Sequence, residues 1–314
     1  MAALDEDDAA QRRRRKQRHE GETLFEDGDV AEHGQEIFEP LPSRREWDPA
    51  GYLRIEVLRD TLARLSTPDK RRAFHDLASK NLARWASGAQ QPSSTVVEVL
   101  PGDWGDVTLT LTKSYGRTFA VLNMANAYLF GGGYAHGQVA QEENMFRRTD
   151  CHFHDEGYSR DDMEYSDAMH RLVSGQDGRV YLDTASPRVC IKGPEERDGL
   201  GYGLLADEDV FPFFELRSAA VDMRGASQKS YDNAELRKRI AAQLDTCMAA
   251  GVRHVVLSAF GCGAFQNPSP IVAETYKQEV RKRKEHFDVV AFAIFHAGYG
   301  PDNFGVFREI FEGA

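Results

Sequence analysis

The segment 121–148, VLNMANAYLFGGGYAHGQVAQEENMFRR, restricts what this chain can become more than any other. Residues 120–124 are apolar and few, the length of a buried strand. Residues 126–140 read as a loop that holds Gly131, Gly132, Gly133 and Gly137. Residues 141–148 open with Gln141, Glu142 and Glu143 and read as a helix with two adjacent carboxylates in its first turn. Strand, glycine-rich loop and helix N-terminus together make a site for an anionic group. Glycine permits positive φ and close backbone approach, and the loop N–H groups can then face a ligand. Consecutive glycines are costly in chain entropy, and a plain linker would not lead from an apolar strand into Gln-Glu-Glu. The spacing is not that of the phosphate loop of nucleoside triphosphatases, because no Gly-Lys-Ser/Thr follows, nor that of the dinucleotide fingerprint.

A second unit of the same kind lies more than a hundred residues on. Residues 254–260, HVVLSAF, are an apolar strand, and Gly261-Cys262-Gly263-Ala264-Phe265 follows directly. Residues 268–283 then read as a helix. Ligands in open α/β sheets bind beyond the carboxyl ends of strands. Two such loops side by side can hold both phosphates of a pyrophosphate.

The remaining chain supplies a scaffold. Residues 1–45 are charged and lack apolar periodicity, with a basic run at 12–18 and an acidic stretch at 20–36, and read as a disordered tail. In residues 46–92, Tyr52, Ile55, Leu58, Leu62 and Leu65 recur at helical steps. Pro68 suits the first turn of a second helix with Ala73, Phe74, Leu77, Leu82 and Trp85 on its apolar face. Residues 93–314 form the main domain. Strands are predicted at 95–100, 118–124, 189–192, 211–221, 254–260 and 289–295, and helices at 234–250, 268–283 and 305–311. Residues 105–115 fit an alternating strand and a helix capped by Asp103 equally well. Residues 151–188 read as a polar connection and 193–203 as a charged loop. Strands alternating with helices predict a largely parallel sheet covered on both faces.

Composition removes several function classes. The net charge of −11 argues against a general nucleic-acid binder. No apolar run is long enough to span a bilayer, and the N-terminus lacks the apolar core of a secretory signal, although export without a cleaved signal stays open. Cys151, Cys190, Cys247 and Cys262 show no metal-ligand spacing and fit reduced thiols in an intracellular protein, cytoplasmic or nuclear.

The glycine triplet, the seven residues after it and the Gln-Glu-Glu resemble the signature of poly(ADP-ribose) glycohydrolases of the microbial type. Asn123-Met124-Ala125-Asn126 matches the apolar-Asn-Phe-Ala-Asn context of that family, with Met124 in place of Phe, and Gly261 to Phe265 matches its second phosphate loop. The resemblance covers about 95–314 and is thinnest between 151 and 220. It implies a macrodomain-like three-layer α/β/α sandwich with a mixed, largely parallel sheet, a helix at 105–115, and an N-terminal helical extension packed on it. It also implies that Gly131, Gly132 and Gly133, with Gly261, Cys262, Gly263, Ala264 and Phe265, embrace the pyrophosphate of ADP-ribose. Phe304, or else Tyr299, would stack on adenine. Asn126 and Gln141 would orient the ribose by hydrogen bonding, and Asn123 would also bind substrate.

The chemistry that follows is cleavage of a glycosidic bond through an oxocarbenium-like state. A carboxylic acid protonates the leaving oxygen and a carboxylate activates water. Neighbouring carboxylates and burial both raise proton affinity, which suits an acid near neutral pH. Adjacent helical residues point about 100° apart, so the two glutamates have different tasks. The resemblance makes Glu143 the proton donor and Glu142 the ribose ligand. No catalytic metal or other cofactor is expected, and neither Ser258 nor Cys262 has the setting of a nucleophile. His136 and His296 are not assigned roles. The expected partners are ADP-ribose or its polymer and an ADP-ribosylated protein, with no membrane or nucleic acid. A binding module without turnover, a hydrolase specific for one mono-ADP-ribosylated protein, and a phosphatase-like enzyme acting on an ADP-ribose phosphate are the alternatives.

Overall fold

The computed structural model describes residues 49–154, 163–196, 201–224, 231–296 and 301–312. The expected tail at 1–45 and Tyr299 lie outside the described residues. Two helices come first, α1 (Pro49–Leu65) and α2 (Pro68–Ala86). Then follow β1 (Val96–Pro101), α3 (Trp104–Tyr115), β2 (Ala120–Met124) and α4 (Gln141–Arg148). The middle of the chain forms α5 (Asp167–Val173), β3 (Tyr181–Leu182), β4 (Arg188–Cys190), β5 (Lys192–Glu195), β6 (Tyr202–Leu204) and β7 (Phe211–Ser218). The chain continues through α6 (Asn233–Ala249), β8 (His254–Leu257), α7 (Ser269–Arg283), β9 (Val289–Ile294) and α8 (Asn303–Glu312).

The main sheet runs β1-β9-β8-β2-β7-β3, with β4 also on β7. The pairs β1/β9, β8/β9, β2/β8 and β2/β7 are parallel, while β3 and β4 run antiparallel to β7. Side chains alternate between the faces along every strand. One face carries Ala120, Leu122, Val255, Leu257, Leu216, Val290 and Phe292, covered by Leu236, Ile240 and Leu244 of α6 and Val272, Tyr276 and Val280 of α7. The other carries Val121, Val256, Phe211, Phe213, Val289 and Ala291, covered by Trp104, Val107, Leu111 and Tyr115 of α3 and Met145 and Phe146 of α4. Burial on both faces explains why these strands read as apolar runs.

Residues 105–115, which the sequence left between strand and helix, are helical. Asp103 Oδ1 accepts from the Gly105 N–H at 2.8 Å, and the helix ends at Gly116 in the left-handed region. The connection at 151–188 is more structured than its polarity implied. It holds α5, started by Ser166, whose Oγ accepts from the Met169 N–H at 3.2 Å, and the two-residue strand β3. The expected loop at 193–203 carries most of a small antiparallel hairpin, β5/β6. Both elements are too short for hydrophobic periodicity to declare itself.

The N-terminal helices sit against the main domain. Thr61 of α1 donates to the Arg147 carbonyl at 2.6 Å, and Lys192 of β5 donates to the Val57 carbonyl at 3.0 Å. Asn81 of α2 donates to the carbonyls of Asp207 at 2.7 Å and Val210 at 2.9 Å. Contrary to the periodicity, Tyr52 is 55% exposed, because Gly51, Leu58, Thr61 and Leu65 form the buried stripe of α1.

Candidate active site

β2 and β8 are neighbours and parallel, so the glycine-rich loops after them emerge at the same edge of the sheet. The first loop folds back on α4. The Asn126 N–H donates to Glu142 Oε2 at 2.7 Å, and the Gly133 N–H donates to Glu143 Oε1 at 2.9 Å. Each glutamate is thus held by one end of the loop that precedes it. Both side chains are buried, with Glu142 3% and Glu143 7% exposed.

Gly132 makes this possible. Its φ is +60°, and a Cβ there would stand 2.5 Å from Glu143 Oε1 and 3.0 Å from Glu142 Oε2. The middle glycine of the triplet therefore makes room for two carboxylates, while a Cβ at Gly131 would meet the Tyr134 ring and one at Gly133 the Gln138 side chain. The Gly132 N–H donates to the Leu129 carbonyl at 3.2 Å, so its donor and that of Gly133 are turned into the protein. In the second loop Gly261 has φ +72°, and a Cβ would stand 2.6 Å from the Ala220 methyl. Among the described residues, the N–H groups of Gly263, Ala264 and Phe265 have no acceptor in the chain. The anion cradle expected of both loops is thus offered mainly by the second.

The flanking polar residues brace the loop. Gln141 Oε1 accepts from the Met124 N–H at 2.9 Å and Gln141 Nε2 donates to the Leu122 carbonyl at 2.7 Å, so its amide pins α4 to the end of β2. Asn126 Oδ1 accepts from the N–H groups of Tyr128 at 2.8 Å and Leu129 at 3.0 Å, closing an Asx-type turn. Asn123 is fully buried and donates to Glu215 Oε1 at 2.8 Å. Phe304 is half-buried against the core, with the Arg308 guanidinium 5.3 Å from its ring centre. Phe295, which follows the last residue of β9, is an aromatic at the carboxyl end of the parallel strands and is 56% exposed.

Burial first, and the charge of Glu143 second, push the Glu142 carboxyl well above the usual carboxylate range. Such a group is neutral at low pH and resists ionising as pH rises. A carboxyl whose affinity for the proton is raised by folding supports stability below its ordinary value near 4.3, and that support is lost as pH climbs through the folded value. Glu142→Gln keeps an acceptor for the Asn126 N–H and removes the charge. It is expected to raise Tm by about 3 °C at about pH 8, with the gain shrinking as pH falls. Thermal melts across pH check this; a variant that melts lower at every pH contradicts it.

Burial also pushes the Cys262 thiol up to about 12, which leaves no thiolate for attack at neutral pH. Ser258 donates to the Ala293 carbonyl at 2.8 Å and lacks a base. One constellation gave no sequence signal. His75, Asp150 and His154 place their ligand atoms within 4.8 Å of one another. Arg188 Nη1 lies 2.9 Å from His154 Nδ1 and can only donate, so Nδ1 accepts and the ring proton sits on Nε2, directed to Asp150 Oδ2 at 3.1 Å. A metal-bound histidine would normally donate from its other nitrogen. With His75 Nε2 at 2.8 Å from the same oxygen, the trio works as a clasp between α2 and the domain. Asp150 and His154 are close in sequence but His75 lies 75 residues before Asp150, so no spacing rule could find the trio.

Residues 64–171 match the family model of the microbial-type PARG catalytic domain. That span includes the glycine triplet and both glutamates. Solved structures share the fold over most of the chain. Poly(ADP-ribose) glycohydrolase from Thermomonospora curvata, bound to the inhibitor ADP-HPD, aligns with TM-score 0.55 and 22% identity over 82% of this chain and 99% of its own. The enzyme from Deinococcus radiodurans in complex with ADP-ribose aligns with TM-score 0.51 and 23% identity over 77% and 92%. No curated protein matches the chain. The fold is thus the macrodomain-like α/β fold of these glycohydrolases.

Proposed function

We propose that this chain is a hydrolase that cleaves the O-glycosidic bond of ADP-ribose in poly(ADP-ribose) or in an ADP-ribosylated protein and releases ADP-ribose. The observation that carries this reading is the pair of buried glutamates, each fixed by a loop N–H, at the sheet edge where the second loop offers unpaired donors. A module that only binds has no need of two buried carboxylates, which cost stability.

In this reading the diphosphate lies on Gly263, Ala264 and Phe265, where N–H groups and negative charge are matched. Adenine takes an aromatic at the end of β9 or in α8, Phe295 or Phe304. The distal ribose reaches Glu142 and Glu143. Glu143, in its protonated form, gives its proton to the leaving oxygen as the bond from the anomeric carbon breaks. The resulting carboxylate takes a proton from water as the water oxygen bonds to that carbon, and Glu143 is protonated again. One water is consumed, and no other reactant is needed. Gln141 and Asn126 act by holding the loop and helix in register, and Asn123 by holding the end of β2.

The acceptor is a polymer end or a protein side chain. The net charge of −11 disfavours nucleic acid as the partner. The four cysteines are free and buried, consistent with an intracellular setting. No helix among the described residues is long and apolar enough to cross a membrane.

The test is to incubate the protein with poly(ADP-ribose) and with mono-ADP-ribosylated proteins, identify the products, and titrate ADP-ribose by calorimetry. Free ADP-ribose appearing in either reaction is the expected result. Binding without product would make the chain a reader, and no binding at millimolar ligand would overturn the assignment of the cleft.

A further inference from the structure

A buried charge cluster lies on the face of the sheet that supports α4. Glu215 and Arg217 are both on β7 and both fully buried. Glu215 Oε1 accepts from Arg217 Nε at 2.6 Å and Asn123 Nδ2 at 2.8 Å, and its Oε2 accepts from Arg217 Nη2 at 2.9 Å and Arg188 Nε at 3.1 Å. With these partners the two guanidinium groups hold the Glu215 carboxyl ionised, at about 2. Arg217 is further fixed between two rings, 4.4 Å from the centre of Tyr181 and 4.7 Å from that of Phe130. Register places Arg217 directly beside Asn123 of β2, three residues before Asn126, whose N–H holds Glu142.

Such a cluster is not explained by stability. A buried ion pair commonly gives no net gain over apolar residues of the same volume. Nor is it closed on itself. Among the described residues Arg217 Nη1, Glu142 Oε1 and Asn123 Oδ1 are buried without a hydrogen-bond partner, and the Tyr165 hydroxyl faces the Arg217 guanidinium without a well-formed bond. Buried polar atoms left this way are uncommon and call for an explanation. These four belong to one neighbourhood: Asn123 pairs in register with Arg217, Arg217 packs on the Phe130 ring, that ring lies 6.3 Å from the Tyr165 ring, and the charge of Arg217 acts on both Tyr165 and Glu142.

We propose that Arg217, locked in place by Glu215, is a positioning residue for the reaction: its buried positive charge offsets the crowding of two buried carboxyl groups, Glu142 and Glu143, behind the loop. This rests on the hydrolase reading above. The groups that face Glu142 are Glu143 on its own helix, the Asn126 N–H from the loop, Arg217 and Glu215 from β7, and Tyr165. Of the two β7 charges, Arg217 has the larger effect and favours the carboxylate, while Glu215 opposes it. The cation thus offsets part of the burial and repulsion that would otherwise fix the proton on Glu142.

The two partners make opposite predictions, which a merely structural role does not. Arg217→Met and Glu215→Gln both break the same ion pair. Arg217→Met leaves Glu215 with Arg188 and Asn123 and should move both limbs of the kcat–pH profile upward by at least about 0.5 in pH. Glu215→Gln should move them downward, and Arg217→Lys should restore part of the wild-type profile. The same shifts should appear in the carboxyl carbon-13 titration of Glu142, assigned with Glu142→Gln, which needs no turnover. That readout separates the two ideas: a wild-type protein that releases no ADP-ribose refutes the hydrolase reading, while the titration still judges Arg217. Opposite displacements support the proposal. Displacements in one direction, or lower melting temperatures with unmoved titrations, overturn it. Should Arg217→Met fail to fold, Glu215→Gln decides alone, a downward shift supporting the role and an unmoved profile refuting it.

Discussion

Glu143→Gln is expected to lower kcat/KM for release of ADP-ribose by about 10³-fold, within the range by which a positioned proton donor accelerates such a reaction. The substitution is close to isosteric, and its side-chain oxygen can still accept from the Gly133 N–H, a contact of 2.9 Å in the native chain. The glycine loop, the helix start and the second loop should all keep their places. Tm and the affinity for ADP-ribose should therefore stay near wild type, because the N–H groups proposed to hold the diphosphate lie elsewhere, in Gly263 to Phe265. A loss confined to kcat marks a group acting in the transition state rather than in binding. The measurement is a product assay beside calorimetry on the same preparation. If the variant released ADP-ribose at the native rate, Glu143 would not be the donor, and Glu142 would take its place. The contrast with Glu142→Gln is informative. That change should stabilise the fold at high pH, since the group it removes is the one that burial and its neighbour hold most strongly protonated.

The sequence made the edge of the sheet legible and left the layer beneath it dark. The glycine triplet and Gln-Glu-Glu are local signals, because backbone turns and helix starts depend on residues close in the chain. The β-strands were readable because their two buried faces make continuous apolar runs. What the glycines are for was not readable. A loop that cradles phosphate and a loop that makes room for two carboxylates share one composition, and only the missing Cβ of Gly132 against Glu142 and Glu143 tells them apart. Gln141 and Asn126 show the same limit. Their side chains are ribose-binding by resemblance, yet here their oxygens accept from the backbone of Met124, Tyr128 and Leu129. Glu215 and Arg217 were invisible for another reason. They alternate with Leu216 and Ser218 in a strand whose charge pattern mimics an exposed edge, and only the pairing with Arg188, far off in sequence, lets them be buried. Contacts between distant residues leave no periodicity to read.

Gly132→Ala tests the idea that this glycine is there to admit the carboxylates. At φ +60° an added methyl is strained by about 1–2 kcal/mol even in open space. Here it would also stand 2.5 Å from one glutamate oxygen, closer than real Cβ contacts come, and 3.0 Å from the other, tighter than most. Something must shift, and the loop is braced on both sides: Gly133 by Glu143, and Asn126 by Glu142 and by its own turn. The glutamates are the parts free to rotate away, so the expected outcome is a displaced carboxyl pair on an intact sheet. A misplacement of about 1 Å at the reacting group costs about 10²-fold in rate, and kcat should fall by at least that much. Affinity for ADP-ribose should fall much less, because the second loop, anchored by Gly261 and Asn267 through bonds of 2.9 and 3.1 Å, is untouched. A phosphate cradle in the first loop predicts the reverse, with binding lost and any bound ligand turned over normally. Calorimetry and single-turnover rates on the same variant decide between them: a weakened Kd with an unchanged single-turnover rate would return the glycines to the phosphate and remove the steric argument built on the glutamates.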